Sequence, residues 1–65
     1  MRTVGDIRVA LGVLGWEIIG PTRTAGGWKA TIQRGSVSML VTGSTEIDVL
    51  EDLLRSAEAR ARRQS

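Results

Sequence analysis

The 65-residue chain predicts one α+β domain of order α-β-β-β-α, a three-stranded antiparallel sheet with both helices packed on one face. Three observations carry this expectation. Apolar residues recur at helical spacing near both ends of the chain. Between them, residues 28–42 alternate apolar and polar side chains with period two around a central glycine. Residues 18–45 form a 28-residue window without an acid, whereas five of the seven acids lie between Glu46 and Glu58.

The first helix is expected over residues 3–14, where Val4, Ile7, Leu11 and Leu14 line one face with Ala10 beside them. Thr3 and Asp6 have the spacing of a short capping box. Gly5 and Gly12 each weaken a helix by about 1 kcal/mol relative to alanine. Gly12 suits a close approach to the sheet, and Gly15 is a natural terminator. A first strand follows in Trp16-Glu17-Ile18-Ile19-Gly20 and is expected to lose its pairing at Pro21, which has no N–H to donate. Residues 22–27 read as loop, marked by Gly26-Gly27.

Residues 28–33 and 36–42 read as a β-hairpin turning at Arg34-Gly35. Pairing Gln33 with Ser36 sets Ile32 opposite Val37, Ala30 opposite Met39 and Trp28 opposite Val41. Those six share a core face, while Lys29, Thr31, Gln33, Ser38 and Thr42 share the wet one. A one-residue slip would destroy that segregation. The second helix opens at Thr45, again with an Asp three residues on, and Glu46, Asp48, Glu51 and Asp52 suit its positive start. Ile47, Leu50, Leu54, Ala57 and Ala61 form its core stripe, flanked by Leu53. Arg60, Arg62 and Arg63 suit its negative end, and residues 62–65 are expected to fray.

Composition narrows the chemistry. Cysteine and histidine are both absent, which removes disulfides, zinc-finger ligation, thiol nucleophiles and imidazole bases. The acids show no paired spacing onto a pocket, so no enzyme, no metal and no cofactor is expected. No apolar run is long enough to span a membrane, and the start Met1-Arg2-Thr3 lacks the apolar core of a signal peptide. Together with the missing cysteines this suits a cytoplasmic protein. Net charge is only +2: residues 1–45 hold five cations and two acids, residues 46–65 four cations and five acids. Such a mild dipole can steer an anionic partner but is no dense basic stripe.

The order and spacing of the elements resemble the double-stranded-RNA-binding-domain-like fold. Leu14-Gly15-Trp16-Glu17-Ile18 looks like the junction in the HicA toxin family, where a helix passes through a Gly-aromatic pair into the first strand. Activity in that family depends on a sheet histidine; this chain has none, so the resemblance implies the fold without the ribonuclease chemistry. Gly27-Trp28-Lys29-Ala30-Thr31-Ile32, followed by Thr45-Glu46, resembles the strand and helix start of integrase arm-type DNA-binding domains. Those domains lay the exposed sheet face in the DNA major groove. Where true double-stranded-RNA-binding domains carry a lysine-rich helix start, this chain has Glu46-Ile47-Asp48, so DNA is favoured over RNA.

Two function classes follow. In the leading one, a small non-enzymatic module contacts nucleic acid, duplex DNA first, through the wet sheet face. Lys29, Thr31 and Gln33 carry that contact, with Arg23 and Arg34 at the rim. In the alternative, Ile19 and Leu40 reach the same face by alternation and form an apolar contact for a protein partner or a second copy. That is the expectation for a homodimer, or for an inhibitor or adaptor of phage or mobile-element type. Trp16 and Trp28 offer rings for base stacking, yet at strand starts in so small a domain they are expected in the core, Trp28 ahead of Trp16.

Overall fold

A computed structural model of the chain describes residues 3–64; Met1, Arg2 and Ser65 lie outside that range, and with them part of the expectations for both termini. The elements are α1 (Val4–Val13), β1 (Glu17–Thr24), β2 (Gly27–Arg34), β3 (Val37–Gly43) and α2 (Glu46–Gln64). The sheet is antiparallel with spatial order β1-β2-β3, which makes β2 central and both neighbours edges. This is the predicted α+β class, and its topology agrees with the double-stranded-RNA-binding-domain-like arrangement.

α1 begins where a reciprocal cap satisfies orphan donors. The Asp6 amide donates to the Thr3 hydroxyl at 3.1 Å, and the Thr3 amide donates to the Asp6 carboxylate at 3.1 Å. The helix ends at Leu14, after which Gly15 takes φ +89° and turns the chain toward β1. The Trp16 amide donates back to the Leu11 carbonyl at 3.0 Å, which pins the tryptophan under the helix end. Gly12 does not approach the sheet: it is exposed, and a Cβ added there would meet nothing within 4 Å.

β1 runs further than expected. Its pairing with β2 covers residues 17–19, breaks, and resumes at Thr22, Arg23 and Thr24. Gly20 and Pro21 pair with nothing on β2, so the missing proline N–H removes no ladder bond. The supposed loop over residues 22–27 therefore shrinks to a turn at Ala25-Gly26. Gly27 follows at φ +144°, and a Cβ there would run into the Gly43 carbonyl oxygen.

The β2–β3 register differs from the expected one by two residues. Arg34 pairs with Val37, Ile32 with Met39 and Ala30 with Val41, so the turn is Gly35-Ser36. Turn chemistry decides this. Gly35 has φ +61° while Ser36 has none of the positive φ, the pattern of a two-residue hairpin with glycine first. A turn at Arg34-Gly35 would put arginine at that position. Because the shift is even, every side chain keeps its predicted face.

The core is Ile7 and Leu11 of α1, Trp16, Ala30 and Ile32 of β2, and Val49, Leu50, Leu53, Leu54 and Ala57 of α2. Trp28, Val37, Met39 and Val41 pack against it half-buried. Trp16 is 4% exposed and Trp28 only half-buried, the reverse of the expected order. α2 buries Val49, which the predicted stripe omitted, while Ile47 and Ala61 are half-buried. A helix that meets both α1 and the sheet buries two adjoining stripes, and a single-stripe template reads only one. The Asp48 amide donates to the Thr45 hydroxyl at 3.2 Å, as the N-terminal spacing predicts. α2 runs from Glu46 to Gln64.

Candidate functional site: the open face of the sheet

The pairing register arranges the outer face in rows across the strands. One row is Glu17, Gln33 and Ser38; the next is Ile19, Thr31 and Leu40; the third is Thr22, Lys29 and Thr42. Gln33 Nε2 donates to a Glu17 carboxylate oxygen at 3.2 Å, so the first row is tied together laterally. Ile19 is 55% exposed and Leu40 64% exposed. Since β2 lies between their strands, the two are not direct neighbours. They stand two strand spacings apart, roughly 10 Å, on either side of half-buried Thr31.

Lys29, Thr31 and Gln33 occupy the face as predicted. Arg34 does not. It sits two residues beyond Ile32 on the same strand and so points to the helix side. There Nη1 donates to the Leu14 carbonyl at 3.2 Å, and the guanidinium lies 4.8 Å from the Trp16 ring centroid. A carbonyl at a helix C-terminus lacks an intrahelical donor, and a cation suits that negative end. Arg34 is thus part of the join between α1 and the sheet. Arg23 also leaves the face: it pairs with Trp28 on the helix side and is exposed there. Only the parity of each residue relative to Ile32 or Trp28 was needed to see this for Arg34. For Arg23 the break at Gly20-Pro21 resets the parity, and alternation alone could not reveal it.

Two residues missed by sequence reasoning also belong to the face. Glu17 lies one residue outside the acid-free window yet shares parity with Ile19, so the face does carry an acid. Thr22, in the stretch expected to be loop, flanks Lys29. The paired positions of the face therefore hold one cation, Lys29, and one acid, Glu17, and no net charge.

Elsewhere, a groove of about 450 Å³ lies between Met39 and the Ser56, Ala59, Arg60 and Arg63 positions of α2. A second, about 440 Å³, runs between α1 and α2 over Ala10, Val13, Leu14 and Leu54. Among the described residues no three His, Cys, Asp or Glu side chains are grouped to hold a metal ion, and no helix is long and apolar enough to cross a membrane. Compared with family models, with curated proteins and with solved structures, the chain matches none.

Proposed function

We propose that the protein is a small protein-binding module that docks through the open face of its sheet. One observation carries this reading: the face is balanced in charge and presents Ile19 and Leu40, each more than half exposed, in a single row. Apolar side chains on a flat polar surface supply contact area, and the surrounding hydroxyls and Gln33 supply a polar rim. The row Thr22, Lys29 and Thr42 favours a second reading, contact with a nucleic-acid backbone, because it sets a cation between two hydroxyl donors. With Arg34 held against Leu14 and Trp16, that reading keeps fewer cations than the sequence offered it.

The two readings separate in a capture experiment from native lysate. A protein partner should persist after nuclease treatment, tolerate salt, and be lost from the Ile19→Lys variant. Retention that disappears with nuclease, falls steeply with salt by counterion release, and depends on Lys29 instead would replace the protein-binding reading with the nucleic-acid one.

A further inference from the structure

The two edges of the sheet are built differently. β1 is interrupted by Gly20-Pro21, and carries Glu17 and Arg23. Breaks, proline and charge are how sheets protect an edge from pairing with another strand. β3 has none of them. Its sequence, VSMLVTG, contains no charge and no proline, and it pairs with β2 at all seven positions without a shift. As an edge strand, β3 leaves its outer N–H and C=O groups without a partner strand. Its core-face residues Val37, Met39 and Val41 are only half-buried, whereas Ala30 and Ile32 on the neighbouring strand are buried.

We infer that β3 pairs with β3 of a second copy, antiparallel about a two-fold axis, to form a continuous six-stranded sheet. Three features select a second copy as the occupant. First, a chargeless strand can lie against itself with no like-charge pair in any register. Second, an even-numbered register centred on Leu40 pairs all seven residues and keeps each face with its own kind. Leu40 then faces its symmetry mate, Ser38 faces Thr42, Met39 faces Val41, and the apolar row runs through Leu40 into the second copy.

The third feature is charge complementarity between the α2 helices. α2 runs antiparallel to β3, since Asp48 and Val49 lie beside Gly43 and the stretch from Ser56 to Arg60 lies beside Met39. A two-fold axis through Leu40 therefore sets two α2 helices side by side and antiparallel. The first half of α2 carries Glu46, Asp48, Glu51 and Asp52, the second half Arg55, Arg60, Arg62 and Arg63 against Glu58 alone. Arg60 and Arg63, on the β3 flank of α2, then face the acidic first half of the other copy's helix, while Glu58 and Arg62 line the α1 side. The groove beside Met39 that Arg60 and Arg63 line opens toward that neighbour.

The test is the mass of the full chain by sedimentation at micromolar concentration. The wild type should sediment at twice the 7.0 kDa chain mass. Ser38 and Thr42 are exposed, so substitutions there spare the core. The double variant Ser38→Lys, Thr42→Lys opposes like charges across the axis and should weaken dimerisation at least tenfold. The pair Ser38→Lys, Thr42→Glu opposes unlike charges at the same positions and should restore the dimer, which a merely misfolded strand would not do. Ile19→Lys, at the far edge, should leave the dimer intact, so loss of the docking reading and loss of the dimer are told apart. A monomeric wild type, or a dimer indifferent to the lysine pair, or no restoration by the lysine–glutamate pair, overturns the inference.

Discussion

Arg34 shows how one side chain changes roles once its neighbours are known. Its hydrogen bond to the Leu14 carbonyl and its position over the Trp16 ring join the end of α1 to the central strand. A cation–π contact of this kind contributes about 0.5–1 kcal/mol, and a charge-assisted bond to a partly buried carbonyl adds to it. Arg34→Ala is therefore expected to cost about 1–2 kcal/mol of folding stability. Equilibrium urea unfolding followed by tryptophan fluorescence reads this as a lower midpoint at unchanged slope. An unchanged midpoint would mean the clamp contributes nothing. Ile32, at 0% exposure in the central strand, is the counterpart in the core. Ile32→Ala should cost about 2–5 kcal/mol, enough to leave so small a domain largely unfolded by circular dichroism.

At the scale of the elements, the glycines divide by what surrounds them. Gly12 sits in α1 with open space where a Cβ would go, so Gly12→Ala should stabilise the protein by up to about 1 kcal/mol. Gly27 is its opposite. It has φ +144° and no room beside the Gly43 carbonyl, so Gly27→Ala should destabilise the sheet and lower the melting temperature. Thermal melts of the two variants measured together decide the matter; shifts of the same sign would contradict the local geometry. The β2–β3 turn follows the same logic, since Gly35 supplies the positive φ that the first turn position requires. The observed hairpin register differs from the expected one by two residues because hydrophobic alternation repeats every second residue and cannot distinguish registers that differ by an even step. Turn chemistry makes that distinction.

For the whole molecule, the governing fact is a thin core covered from one side only. Both helices lie on one face of the sheet, and the other face meets solvent with Ile19 and Leu40 upon it. A 65-residue chain buries only about 60% of its unfolded surface, so association through an open edge or face adds burial that the monomer lacks. If β3 pairs as inferred, the open faces of two copies become one surface, with the apolar rows of both in line. The melting temperature should then rise with protein concentration, because mass action favours the folded dimer. A melt independent of concentration over a hundredfold range would place all of the stability within the single chain.

The sequence alone determined the element order, the segregation of the two sheet faces within the hairpin, both helix N-terminal caps and most of the core. All of these depend on interactions between residues close along the chain, or on a periodicity that each element carries within itself. The tertiary structure alone decided that β2 is central, which separates Ile19 from Leu40, and that β1 resumes beyond Pro21 with altered parity, which turns Arg23 away from the open face. It also decided the partner of Arg34, which parity already turns from the open face: its charge meets the end of α1. Each of these depends on which strand lies beside which and on what a helix end leaves unsatisfied. Such relations join residues far apart in sequence, and no local pattern encodes them.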